Sequence, residues 1–267
     1  MTLRQKYLVI QEEIYTMQNV QEKNAETYAF EMAPEVREKI DQADGRKRLI
    51  PEKKVKDLKY IDVTKRPYCV VKRILDFWIS LVALLVLLIP FAILSAIIYL
   101  DDPGEIIFSQ YRVGRCGKRF KLYKFRSMKT STPKYLATSE IDDPNMDFTR
   151  VGKVIRKLSL DEIPQLINVL KGDMSLVGPR PLISDEYEIH DMRMRFGVYN
   201  IRPGITGLAQ VNGRDTVEAD QKLRYDVRYL EEFGFWTDLK ILLITVPKVL
   251  RWEGFAEGKR GHRNKKK

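Results

Sequence analysis

The chain has 267 residues, room for one large domain or two small ones. Its 47 Lys and Arg against 36 Asp and Glu give a formal net charge of +11, which suits an anionic partner: nucleic acid, an acidic lipid surface or a phosphorylated substrate. The two cysteines, Cys69 and Cys116, belong to no CxxC or Cys/His cluster, which argues against a disulfide framework or a zinc site, and the N-terminal MTLRQKYLVIQEEIYTMQ lacks the apolar stretch of a signal peptide.

Residues 1–66 read as a charged N-terminal extension, helical and then a linker. Leu3, Tyr7, Ile10, Ile14 and Met17 recur at alternating spacings of four and three, one stripe on a short amphipathic helix. The stripe ends after Val20; Pro34, Pro51 and the polar DQADGRKR follow. This is either a surface helix with a mobile linker or a helix for docking or self-association, so a homo-oligomer is compatible with the chain.

Residues 67–100 are expected to form a re-entrant membrane helix. No charged residue interrupts Phe77–Leu100, a run of about 24 residues, long enough to cross a hydrocarbon core. Pro90 near its middle favours a kink. Lys65, Arg66, Lys72 and Arg73 precede the run; Asp101 and Asp102, then Arg112, Arg115, Lys118, Arg119 and Lys121, follow it. Positive charge prefers the cytoplasmic side, so a kinked helix that enters and leaves on one face satisfies both flanks better than a simple span. A buried core helix of a soluble protein is disfavoured because the run is apolar all round.

Residues 101–255 carry the motifs. FKLYKFRSM supplies Lys121, Lys124 and Arg126, and its alternation predicts a strand with one basic face. In LSLDEIPQLINVLKGDMSLVGPRP two carboxylates, Asp161 and Glu162, stand together at a helix start. Either Ser159 is the N-cap of a capping box or Pro164 is the first helical residue with the carboxylates just ahead of it. The plain reading is that the pair stabilises the helix start. The chemical reading is that one carboxylate attacks phosphorus while its neighbour holds Mg²⁺, which binds hard oxygens and bridges substrate phosphates. Arg156 lies five residues before Asp161, and Arg180 stands between Pro179 and Pro181 in GPRP. Arg grips phosphate with paired hydrogen bonds where Lys acts as a point charge. IRPGITGLAQVNGR lacks the P-loop pattern, and its default reading is a hairpin connection needing positive φ at glycine.

LRYDVRYLEEF is amphipathic, and FWTDLKILLITVPKVLRWEGF is either an interfacial helix or an ordinary core-packing one. Residues 256–267 form a polybasic tail, either solubilising charge or attraction to anionic membrane lipids.

QYRVGRCGKRFKLYKFRSM, RVGKVIRKLSLDEIPQLINVLKGDMSLVGPRP and IRPGITGLAQVNGR, in this order after a Lys/Arg-flanked apolar run, closely resemble the bacterial sugar transferase family, the monotopic phosphoglycosyl transferases. The resemblance covers roughly residues 67–255. It implies an α+β, mostly helical protein: a re-entrant membrane helix hairpin plus a compact catalytic domain with amphipathic interfacial helices, at the bacterial inner membrane and facing the cytosol. It implies a UDP-sugar donor, a polyprenyl phosphate acceptor and Mg²⁺. Asp161 would be the nucleophile on the donor β-phosphate, and Glu162 would assist with the metal and the acceptor phosphate. Arg156 and Arg180, with Lys124 and Arg126, would steady phosphate oxygens, and Pro179 to Pro181 would border the nucleotide. Two departures stand out: the family's Ser-Pro kink is Ile89-Pro90 here, and Cys116 replaces a usual Asn. The competing expectations are a catalytically silent scaffold for glycan-assembly enzymes and a nucleic-acid binder. The first is opposed by the intact carboxylate pair. The second is opposed by the lack of any reading motif, so no nucleic-acid partner is expected.

Overall fold

The computed structural model describes residues 57–132, 148–183, 187–213 and 218–250. The predicted N-terminal stripe and the polybasic tail lie outside them. Residues 58–66, assigned from sequence to the extension, pack on the main core: Val63 is fully buried there, with Leu58 and Ile61 against the same cluster. The described residues are mostly helical with two small two-stranded sheets, an α+β arrangement.

Helix α1 (Tyr68–Val86) and helix α2 (Leu88–Asp101) meet at 62°. Among the described residues no single helix is long and apolar enough to cross a membrane; only this bent pair is, taken together. The break is at Leu87, and Pro90 is the third residue of α2. A proline ring clashes with the carbonyl four residues back, here Val86, so the preceding helix ends one turn before the proline, whose missing N–H costs nothing in a first helical turn. Ser95 donates to the Phe91 carbonyl at 2.7 Å within α2.

The surface of this pair is inverted relative to a water-soluble helix. On α1 the buried residues are Lys72, Asp76 and Ser80, at four-residue spacing, whereas Val71, Ile74, Trp78, Val82 and Leu85 are exposed. On α2 Leu88, Ile89, Ile93, Ile97 and Leu100 are exposed, Leu100 by 79%. Lys72 and Asp76 of this buried polar stripe bond to the rest of the protein, while the Ser80 hydroxyl finds no hydrogen-bond partner among the described residues. Lys72 Nζ lies 2.5 Å from Asp238 Oδ2, which also accepts from the Tyr68 hydroxyl. Asp76 accepts from Ser175 Oγ at 2.7 Å and from the Leu176 amide at 3.1 Å.

After the hairpin come strands β1 (Ile107–Val113) and β2 (Arg119–Phe125), an antiparallel pair with Ile107 opposite Phe125 and Val113 opposite Arg119. The predicted single basic face of β2 does not form. Side chains alternate along a strand, so Arg119 and Lys121 point outward while Lys124 shares the inward side of Phe120 and Leu122. In the turn between the strands Cys116 has φ 56°, the left-handed region that Asn tolerates better than most side chains.

Helix α3 (Arg150–Lys157) is capped by Thr149 Oγ1, which accepts from the Gly152 amide, and by Asp101 Oδ2, which accepts from the Val151 amide at 2.9 Å. Helix α4 (Gln165–Lys171) leads to β3 (Ser175–Val177), which pairs in parallel with β4 (Gly204–Thr206). Between them lies helix α5 (Tyr187–Arg195); after them come α6 (Leu208–Val211), α7 (Ala219–Glu231) and α8 (Phe235–Leu250). The expected hairpin does not form, since β4 is parallel to β3; Gly213 has positive φ, at 150°, while Gly204 and Gly207 serve close approach instead. A Cβ on Gly204 would lie 2.1 Å from the Gly178 amide nitrogen, and one on Gly207 2.1 Å from the Gly178 carbonyl oxygen.

The largest apolar cluster joins Val177, Ile189, Met192, Leu223, Val227, Leu230 and Ile241. Helix α8 packs on the core through one face, with Asp238 and Ile241 buried, and leaves Trp236, Leu243 and Val246 exposed on another.

Candidate active site

Helix α3 ends at Lys157, and Ser159 just beyond it, with φ 55°, turns the chain sharply into a one-turn 3₁₀ segment, Leu160–Glu162. Ser159 makes no side-chain cap, and α4 starts at Gln165 behind Pro164. The structure therefore follows the second predicted register within one residue, with both carboxylates ahead of the helix. Leu160 and Ile163 anchor the turn in a cluster with Ile98 of α2, Phe125 of β2 and Ile155 of α3. The acidic pair is thus mounted directly on the apolar hairpin.

Asp161 is 5% exposed. Lys124 Nζ, brought inward by the parity of β2, lies 3.5 Å from Asp161 Oδ2 and 3.0 Å from Glu162 Oε1. The Arg180 guanidinium approaches Glu162 Oε1 at 3.4 and 3.5 Å from its two terminal nitrogens. Arg156 stacks its guanidinium over the Phe148 ring, 4.6 Å from the centroid, and lies close enough to favour the Asp161 charge. Burial pushes the Asp161 carboxyl above the ordinary carboxylate range; Lys124 opposes this most, Glu162 reinforces it, and Arg156 and Arg180 oppose it further. Two acidic groups and three cations share one site, leaving positive charge for a polyanionic ligand.

The other predicted residues are placed differently. Arg126 follows the end of β2, and its guanidinium bonds the Asp102 carbonyl and lies 3.6 Å from the Asp102 carboxylate. It latches the exit of the hairpin, and no described contact brings it to the acidic pair. Pro179 and Pro181 are buried on either side of the half-exposed Arg180, and the Pro179 carbonyl accepts from the Gly204 amide at 2.9 Å.

Sequence reasoning missed Asn168. Fully buried on α4, its amide completes the edge of β2: Oδ1 accepts from the Tyr123 amide at 3.0 Å and Nδ2 donates to the Lys121 carbonyl at 2.7 Å. The residue after Tyr123 is Lys124, so this amide sets the height of the site's lysine over the carboxylates. The available signal was an amide side chain in the middle of an otherwise apolar helix, which demands a partner.

Among the described residues no group of three or more His, Cys, Asp or Glu could hold a metal. Two adjacent carboxylates do fit Mg²⁺, which characteristically takes one or two of them and completes its shell with water and substrate phosphate.

A buried carboxylate among cations, set on an apolar helix hairpin, suits a polyanionic ligand by its charge. The chain belongs to the bacterial sugar transferase family, whose model matches residues 67–252. The uncharacterized sugar transferase EpsL of Bacillus subtilis (strain 168) is 39% identical over 188 residues, 70% of this chain and 91% of that protein. The undecaprenyl-phosphate galactose phosphotransferase of Salmonella typhimurium is 40% identical over 207 residues, 72% of this chain but 43% of that protein. The UDP-glucose:undecaprenyl-phosphate glucose-1-phosphate transferase of Caulobacter vibrioides is 41% identical over 189 residues, 67% of this chain and 69% of that protein. The chain thus spans most of EpsL and under half of the Salmonella enzyme.

Proposed function

We propose that this protein transfers a sugar-1-phosphate from a UDP-sugar to a polyprenyl phosphate at the bacterial inner membrane, with Asp161 as the covalent carrier, and so begins assembly of a cell-surface polysaccharide. The observation that carries the reading is the position of Asp161: buried beside Glu162, flanked by Lys124 and Arg180, and packed through Leu160 and Ile163 onto the hairpin helix. The exposed apolar faces of α1, α2 and α8 would lie in lipid, with the rest of the protein on the cytosolic face and anionic lipids meeting its positive charge. The hairpin then re-enters rather than spans, which brings a membrane-held phosphate acceptor to the same level as the carboxylates.

In the first step an Asp161 carboxylate oxygen forms a bond to the donor β-phosphorus. The bond from that phosphorus to the bridging oxygen breaks, UMP departs with the bridging oxygen, and the sugar phosphate is left on Asp161 as an acyl phosphate. In the second, a phosphate oxygen of the polyprenyl carrier bonds to the same phosphorus and the Asp161 carboxylate leaves. Lys124 keeps the carboxylates apart from each other's charge and steadies the incoming phosphates. Arg180 and Arg156 offset charge on the equatorial oxygens, since phosphoryl transfer is chiefly positioning and charge stabilisation. Mg²⁺, held by Glu162 and Asp161, would supply further neutralisation of the diphosphate.

Purified protein incubated with a panel of UDP-sugars and no acceptor should release UMP in a stoichiometric burst and gain a sugar-phosphate mass on Asp161. Asp161→Asn should abolish both. UMP release without the adduct, or turnover by Asp161→Asn, overturns the covalent mechanism; no UMP release with any donor overturns the activity and favours a silent scaffold.

A further inference from the structure

The reactive residues account for Arg180 but not for what aims it. Arg180 sits in a loop, its guanidinium is half exposed, and a long side chain so placed would sample many directions. Its backbone, however, is tied from beneath. Arg193 on α5 donates from one terminal nitrogen to the Arg180 carbonyl at 2.8 Å. The other two donor positions of the same guanidinium, Nε and the second terminal nitrogen, lie 2.9 and 2.6 Å from Asp226 Oδ2 on α7. Both members of this ion pair are almost fully buried. One turn earlier on α5, His190 Nε2 lies 2.8 Å from the Ile183 carbonyl, and its Nδ1 meets the Tyr199 hydroxyl. Burial drives His190 down to about 4, so at neutral pH the ring is uncharged. With Tyr199 donating to Nδ1, its single N–H is at Nε2 and donates to Ile183. Helix α5 therefore grips the chain at two carbonyls three residues apart, Arg180 within GPRP and Ile183 just after it.

Core packing alone does not call for this arrangement. A buried ion pair is weak support for stability and is often replaceable by apolar residues of like volume. What an apolar pair cannot do is donate to a loop carbonyl while being held fixed itself. Only a guanidinium has the fork needed to accept orientation from Asp226 on one edge and deliver it to Arg180 on the other. The flanking prolines stiffen the loop on both sides, so holding one carbonyl fixes the direction in which the Arg180 side chain leaves the backbone.

We propose that Arg193, oriented by Asp226, is a positioning residue for the transfer reaction, acting through the Arg180 carbonyl to hold the Arg180 guanidinium over Glu162 and the donor phosphates. This deepens the proposed function and rests on it. The path runs from α7 through α5 to the GPRP loop and then to the carboxylate pair, and each link is a hydrogen bond or ion pair of this chain. Arg193 itself touches neither carboxylate in any described contact, and its hydrogen bond to the Arg180 carbonyl links it to the site.

The test is a double-mutant cycle on the full-length protein in detergent, using UMP release with polyprenyl phosphate as acceptor and UDP-glucose, UDP-galactose and their N-acetylated counterparts as donors. Arg193→Lys keeps a charge for Asp226 but loses the fork, and should cost roughly tenfold in kcat/KM while the folded state persists by circular dichroism. Arg180→Ala should cost more. The deciding value is Arg193→Lys placed in the Arg180→Ala background, where it should cost nothing further, because the group it aims is gone. A merely structural role would give equal fold-losses in both backgrounds, and that result overturns the inference, as does full activity of Arg193→Lys alone. Asp226→Asn, which retains an acceptor oxygen, gives the same cycle if Arg193→Lys fails to fold. Turnover by the wild type with multiplicative losses sinks this inference alone; absence of turnover with every donor sinks the proposed function and the inference with it.

Discussion

Asn168 offers a quantitative test of how the site is assembled. Replacing it with Ala removes the partner of the Tyr123 amide and of the Lys121 carbonyl, both on β2. Asn168 is fully buried, so the groups it leaves are poorly placed to be solvated in its stead. Leaving a buried backbone group unpaired costs about 1–3 kcal/mol, and two such groups give about 4 kcal/mol. For a protein of this size that lowers the melting temperature by about 8–16 °C. Thermal unfolding in detergent, followed by near-ultraviolet circular dichroism, reads the change directly. Asn168→Leu separates the causes, because it restores volume but neither hydrogen bond, and should be destabilised nearly as much as Asn168→Ala. Wild-type stability of Asn168→Leu, or a loss below about 1 kcal/mol for Asn168→Ala, would refute the pairing argument. Both variants should also lose turnover below their melting point, since Lys124 no longer has a fixed height above Asp161 and Glu162.

Two further outcomes follow from local physics. Cys116→Gly should stabilise the protein by about 0.5–1 kcal/mol, because the left-handed backbone that strains an ordinary side chain outweighs the entropy glycine brings to the unfolded chain; an unchanged or lower melting temperature would contradict this. Asp161→Asn should be inactive yet more stable than the wild type at neutral pH in the absence of donor. Burial raises the Asp161 carboxyl in the folded state above its ordinary value of 3.8, so the folded protein favours the protonated form. Stability from this group is complete below the ordinary value and is lost as pH rises through the raised one. The advantage of the Asn variant should therefore shrink as the medium is acidified towards the ordinary carboxylate range, and an advantage that grows on acidification would invert the assignment.

Several features were readable from residues alone because their physics is local. An uncharged run of about two dozen residues with a proline inside it had to be a bent apolar element. Asp161 and Glu162 are adjacent, so no fold could separate them, and Pro164 just after them placed the helix start within one residue. Where the sequence misled, a parity or a boundary was at fault. Lys121, Lys124 and Arg126 looked like one basic face, but a strand alternates sides, and the strand ends before Arg126. That leaves Lys124 for the site and turns Arg126 towards Asp102.

What only the tertiary structure decided is how distant residues share their polar groups. Nothing in sequence spacing relates Asn168 to Tyr123, Arg193 to Arg180, or Asp76 to Ser175, because each pair is brought together by the packing of α1, α4, α5 and the two small sheets. Periodicity reports which side of an element avoids water; it carries no record of which partner a buried donor finds across the core. Composition and local pattern therefore fixed the chemistry available to this chain, while burial of its polar groups, most of which find a partner when water is excluded, fixed where that chemistry is aimed.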